Sequence, residues 1–281
     1  MTLISIQNQY LHVEISTRGA ELQSIRDSSG NERLWQGDPA FWTGRAPILF
    51  PICGGLREDT YYLDGQRYSM PKHGFAKISE WQTENISSDR AVFLLTEMHP
   101  GFPFRYELRA IYHLVENSLK VTYAIQNLDD RTFCCSVGSH EAWATPGGLE
   151  SYSIEFEQPE QLANYSPIGN LLPRGPVILG ENVCELPLKT EYFAIDALVF
   201  PHLKSRAVTL KKQDKEELRV SYEGMDVLLL WTKPGANYIC IEPWCSAPDY
   251  VDSDMQIRNK PGILTLAPGK ETERTHLIEF F

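Results

Sequence analysis

No stretch of the chain approaches the roughly 18 uninterrupted apolar residues that a membrane-crossing helix needs, so no membrane span is expected. There is no excess of positive charge either. The formal net charge is −11, which repels phosphate backbones and argues against general nucleic-acid binding. The opening MTLISIQNQY has no basic start and no apolar core, so no signal peptide is expected. Cys53, Cys134, Cys135, Cys184, Cys240 and Cys245 form no C-x-x-C pair. Without an export signal they read as reduced core thiols of a cytoplasmic protein, and no structural zinc site or other metal is expected from their spacing. Long amphipathic helices, low-complexity tracts, linkers and internal repeats are also missing, which removes helical bundles and repeat arrays from consideration.

What fills the sequence instead is short alternating strands. Glycine and proline are frequent, at 19 and 18, and scattered, as many turns between many strands require. Ile4, Ile6 and His12 to Ile15 alternate, and Leu22 to Ile25 precedes the turn Asp27-Ser28-Ser29-Gly30. Tyr106 to Leu114 and Ser118 to Asn127 read as a hairpin around Glu116-Asn117, with Leu119, Val121, Tyr123 and Ile125 on one face. Further strands are expected at 91–96, 152–156, 207–211, 218–222, 227–231, 238–242, 262–266 and 273–280. Only short turns are expected at 38–42 and 185–192. About fifteen strands with almost no helix predict an all-β fold, a large antiparallel β-sandwich of two packed sheets. The simplest organisation is one domain over residues 1–281.

Several segments set titratable side chains among apolar neighbours. Glu242 ends the strand Tyr238-Ile239-Cys240-Ile241 and precedes Pro243-Trp244. A carboxylate there either reaches water at an edge or sits in a cleft with a perturbed pKa. His140 follows Val137-Gly138-Ser139 and is either an acid/base or a core histidine satisfied by a carbonyl. His73, in Pro71-Lys72-His73-Gly74-Phe75-Ala76, stabilises a turn or faces a ligand. Arg45, before the apolar run Ala46 to Pro51, could clasp hydroxyls or a phosphate, or pair with a carboxylate. Asp196, within Ile195 to Phe200, could accept from vicinal hydroxyls or cap a turn. Trp35, Phe41, Trp42, Phe75, Trp143 and Trp244 cluster near these positions, as sugar-stacking platforms or as core packing.

In order and spacing these segments resemble the aldose 1-epimerase (galactose mutarotase-like) superfamily, and more narrowly its bacterial LacX-like proteins. The resemblance runs from Gly19-Ala20-Glu21-Leu22 and Trp35-Gln36-Gly37-Asp38 through Arg45 to Pro51 and His73-Gly74-Phe75. It continues in Gly138-Ser139-His140, Asp196-Ala197-Leu198, Ile241-Glu242-Pro243-Trp244 and Pro261-Gly262-Ile263. It implies a galactose mutarotase-like supersandwich and a cofactor-independent isomerase that interconverts the anomers of a free hexose. By the same resemblance Glu242 is the general base and His140 the general acid. His73, Arg45, Asp196, Phe75, Trp143 and Trp244 bind the substrate, a small-molecule sugar.

Two departures from the family pattern bear on this. Glu141 follows His140 where the family usually has proline; pointing inward, it would raise the pKa of His140. Lys77 stands where arginine is usual, and lysine lacks the planar fork that grips a phosphate. The alternatives are a hexose-6-phosphate 1-epimerase, with Arg45, Lys72 and Lys77 as cation candidates, and a non-catalytic sugar-binding or sugar-sensing protein. A glycoside hydrolase would need a second carboxylate opposite Glu242, from Asp249, Asp252 or Asp254. That run reads as an ordinary solvated loop, without the glycine and distal glutamate of a calcium loop.

Overall fold

The structure is a computed structural model and describes residues 2–281. Strands make up 51% and helical residues 6%, and among the described residues there is no helix of seven residues or more, as the alternation anticipates. Among the described residues no helix is long and apolar enough to cross a membrane. The hairpin Tyr106–Val115 and Ser118–Asn127 pairs Tyr106 with Asn127 and Val115 with Ser118. Its turn residue Glu116 takes up a positive φ of 52°. Leu119, Val121, Tyr123 and Ile125 are all buried.

Two antiparallel sheets carry the architecture. One has nine strands and includes that hairpin together with Glu271–Phe280. The other has four, in the spatial order Ala142–Ala144, Tyr238–Trp244, Val227–Trp231 and Leu198–Phe200. Successive side chains of a strand point to opposite faces, and the four-stranded sheet uses both. Trp143, Leu198, Phe200, Leu228, Leu230, Ile239 and Ile241 join the main apolar core, which also holds Ala110, Tyr112, Val121, Tyr123 and Ile278 of the nine-stranded sheet. The other face bears Tyr238, Cys240, Glu242 and Trp244, alongside Val227, Leu229 and Trp231 of the neighbouring strand and Ala142 of the edge strand.

The alternation reading passes over the strands Thr60–Leu63, Gln66–Ser69 and Gln82–Ile86, and two further stretches differ from it. The strand beginning at Tyr152 runs on to Asn164, past Pro159, which hides the continuation in the sequence. Its pairing with Val177–Pro187 shifts register between Glu155 and Glu160, and such a bulge is where a strand tolerates proline. The expected turn at 185–192 is divided accordingly. Glu185 to Pro187 pair as strand with Ser153 to Glu155, and only Thr190–Phe193 forms a 3-10 turn. The segment 38–42 is a hydrogen-bonded turn in which Phe41 and Trp42 donate to the Asp38 carbonyl.

Candidate active site

The second face of the four-stranded sheet floors a cleft of about 900 Å³. Glu242 and Trp244 reach it because they lie two residues apart on that face; Leu229, opposite Glu242 in the register, and Trp231 reach it from the next strand. His140 enters from the extended segment before Ala142–Ala144. Its Nε2 lies 3.3 Å from Glu242 Oε2. Trp42 leans over its ring at 5.0 Å, and Trp231 and His73 meet it edge-on at 5.7 Å each.

Burial governs the titration of this group. It pushes the Glu242 carboxyl well above its usual range, an effect that Lys72 opposes and that Glu141 and Asp196 reinforce. Burial also pushes His140 down to about 3, helped by Lys72 and Lys77. His73 is held well below its ordinary value by burial, His140 and the same two lysines. Its Nδ1 accepts a hydrogen bond from the Gly54 amide at 3.1 Å, while its own amide donates to the Gly54 carbonyl at 2.9 Å. A neutral imidazole that accepts at Nδ1 carries its proton on Nε2, so His73 is fixed as a donor. It sits at φ 69° and is followed by Gly74 at φ 66°. A β-carbon on Gly74 would lie 2.1 Å from the Phe50 carbonyl oxygen, so only glycine fits there.

Of the residues singled out in the sequence, Glu242, His140, His73, Asp196, Trp244, Trp42, Lys72 and Lys77 line this cleft. Asp196 accepts from the Ala197 amide, and Trp244 Nε1 donates to the Ser139 carbonyl. Arg45, Phe75 and Trp143 are not among the lining residues. The Arg45 guanidinium turns to the backbone carbonyls of Gln23 and Gln36. Phe75 is buried, stacked on His99 and edge-on to Phe50. Trp143 follows the parity of its strand into the core, opposite Ile239, where it meets Phe280. Glu141 also faces the core, and its Oε1 lies 2.9 Å from Nε2 of the buried His276.

The cleft also holds residues the sequence reading passed over, chiefly Trp231 and Lys233. Alternation through Val227, Leu229 and Trp231 would have placed Trp231 beside Leu229, but the apolar run 227–231 shows no preferred face on its own. Lys72, Lys77 and Lys233 line the cleft. Among the described residues none of the three makes an ion pair.

The chain resembles known proteins along its whole length. The sequence profile of the family described as Aldose 1-epimerase matches residues 2–279. The plasmid-encoded protein LacX of Lactococcus lactis subsp. lactis is 32% identical, over 98% of this chain and 98% of its own length. A galactose mutarotase related enzyme from Lactobacillus acidophilus superposes with a TM-score of 0.91 at 28% identity, covering 100% of this chain and 97% of that one. A galactose mutarotase-like protein from Lactobacillus casei ATCC 334 gives 0.92 at 26% identity, with both chains covered in full. The chain belongs to the aldose 1-epimerase family.

Proposed function

We propose that this protein is an aldose 1-epimerase that interconverts the α and β anomers of a free hexose. The observation that carries the proposal is the 3.3 Å approach of His140 Nε2 to Glu242 Oε2 on the floor of an open cleft. Anomer exchange needs one group to take the proton of the anomeric hydroxyl while another protonates the ring oxygen, with the roles reversed on closure. Burial favours the uncharged form of both groups, a carboxylic acid beside a neutral imidazole. Passing one proton from Glu242 to His140 creates the carboxylate base and the imidazolium acid without exchange with solvent. Sugar hydroxyls donating to the carboxylate, and Lys72 nearby, favour that transfer.

The sugar opens to its aldehyde, the C1–C2 bond rotates, and closure on the other face delivers the second anomer. The Nε2–H of His73 donates to the ring oxygen or a neighbouring hydroxyl, and Asp196 accepts from hydroxyls. Trp42, Trp231 and Trp244 offer faces to the apolar side of the ring. The six cysteines are all free thiols, in keeping with a cytoplasmic location, which is part of the same proposal.

A second reading is a hexose 6-phosphate as substrate, favoured by Lys72, Lys77 and Lys233, which line the cleft without carboxylate partners. Polarimetry of fresh α-D-galactose and α-D-glucose tests the first reading. Relaxation faster than in buffer is expected, and the Glu242→Gln and His140→Gln variants should each lose roughly 10²- to 10⁴-fold in rate. No acceleration with either sugar, together with acceleration of glucose 6-phosphate, would move the assignment to the phosphorylated substrate. Saturable sugar binding without any acceleration would make the protein a binder.

A further inference from the structure

Cys240 has no part in the acid/base chemistry, yet the fold sets it against the groups that do. It shares a strand face with Glu242, lies opposite Ala142 and Trp231 in the register, and is fully buried. One donor atom from each of His140, Cys240 and Glu242 falls within 4.8 Å of the other two. Donors about 2.0–2.3 Å from a tetrahedral metal stand about 3.3–3.8 Å apart, and the His140 Nε2–Glu242 Oε2 separation of 3.3 Å already meets that spacing. Independently, Glu242 Oε2 and His140 Nδ1 are buried with no hydrogen-bond partner. The approach of His140 Nε2 at 3.3 Å falls outside hydrogen-bond geometry, and a buried carboxyl oxygen without a hydrogen bond from the rest of the protein points to a ligand at this place.

We propose that His140 and Glu242 of the cleft, with Cys240 buried beneath them, form a zinc-binding site, and that the bound ion blocks the epimerase. The donor set decides the metal class. One nitrogen, one sulfur and one oxygen suit a borderline-soft divalent ion such as Zn²⁺, whereas Mg²⁺ and Ca²⁺ require oxygen donors. Three protein ligands leave a fourth position open toward the cleft, for water or a sugar hydroxyl. Binding expels the Cys240 thiol proton and the Glu242 carboxyl proton to solvent and occupies the carboxylate and imidazole lone pairs. Metal and sugar then compete for the same atoms. The linear spacing shows no metal pattern because His140 lies far from the other two ligands in the chain. The binding claim goes beyond the epimerase reading, and only the blocking clause rests on it.

Cobalt(II) reports the ligands directly, whether or not the protein turns over sugar. Titrated into the full-length protein, it is expected to give tetrahedral visible bands and a near-ultraviolet thiolate-to-cobalt band at one equivalent. Cys240→Ser should lose the thiolate band and bind at least about tenfold more weakly. Should Cys240→Ser fail to fold, as judged by near-ultraviolet dichroism, His140→Gln serves instead, with the same loss of affinity expected. In polarimetry, zinc should slow the wild-type protein reversibly, with recovery on chelation. The half-inhibiting concentration should rise at least about tenfold in Cys240→Ser, each variant being compared with its own metal-free rate. Cobalt binding without a thiolate band, or a spectrum unchanged in Cys240→Ser, would place the ion on surface histidines or on Cys184 and overturn the proposal. A protein that shows the thiolate band but no epimerase activity would keep the site and remove only its inhibitory role.

Discussion

His140 and Glu141 are neighbours in the chain and face opposite sides of the sheet. His140 stands in the cleft against Glu242, while Glu141 crosses into the core to meet His276 of the nine-stranded sheet at 2.9 Å. A glutamate beside the acid would raise the pKa of His140 only by pointing the same way. It does not, and burial carries His140 downward instead. Glu141 thus ties the segment that bears His140 to the opposing sheet.

That buried pair gives the first expectation. Removing one partner of a buried hydrogen bond strands the other and costs about 1–3 kcal/mol, while replacing both with apolar residues costs much less. Glu141→Leu and His276→Leu should each lower the midpoint of denaturant unfolding strongly, and the double variant should recover most of the loss. Additive losses would show that the two side chains act independently.

Glu242 should trade stability for chemistry. Its folded pKa lies above the ordinary 4.5. Its contribution to stability is therefore complete below about pH 4.5 and is lost as pH rises through the folded value. For His140, depressed to about 3 from 6.5, the contribution is complete above 6.5 and is lost as pH falls toward 3. Glu242→Gln removes only the first effect. Its Tm should exceed that of the wild type by roughly 2–4 °C at pH 8, the shift that about 1 kcal/mol produces, and the gap should close near pH 4.5. A gap of equal size at both pH values would mean that the carboxyl is not perturbed.

Gly74 holds the cleft wall in place. A methyl group there would meet the Phe50 carbonyl at 2.1 Å on a backbone with φ 66°. Gly74→Ala is expected to cost more than about 2 kcal/mol from the left-handed backbone and the clash together. Displacing His73, one residue away, should also lower kcat in polarimetry. A variant with unchanged Tm and rate would show that the loop relaxes freely.

The lysines should divide the two substrate readings. Lys77 is itself pushed down by burial and by Lys72, so an anion that neutralises the pair would be welcome. Lys72→Met with Lys77→Met should raise KM for glucose 6-phosphate on the order of tenfold or more, the effect of roughly 1.4 kcal/mol. KM for galactose should change little. Equal effects on both sugars would mean that the lysines serve the acid/base pair and not a phosphate.

Much of the fold was legible because period-two alternation is a local property. The 106–127 hairpin follows directly from it, as does the near absence of helix. The strand past Tyr152 was not, since Pro159 reads as a stop until a bulge accommodates it. Glu242, His140 and His73 stood out as titratable residues in apolar or glycine-rich company. Trp143 stood out as an aromatic beside them, yet the same alternation that turns His140 to the cleft turns Trp143 away from it. Arg45 and Phe75 were placed by their neighbours in sequence, and their side chains are claimed by Gln23, Gln36, His99 and Phe50 instead.

By itself, then, the order of residues determined many of the strands, which residues share a face within those that alternate, and which segments carry titratable groups. Only the tertiary structure decided that His140, Cys240 and Glu242 meet, that Leu229 sits opposite Glu242 and Trp231 opposite Cys240, and that three lysines share one cleft. The physical reason is that strand register and sheet order are set by contacts between residues far apart in the chain. Local periodicity says which way a side chain leans, and only the pairing of distant strands says what it meets there.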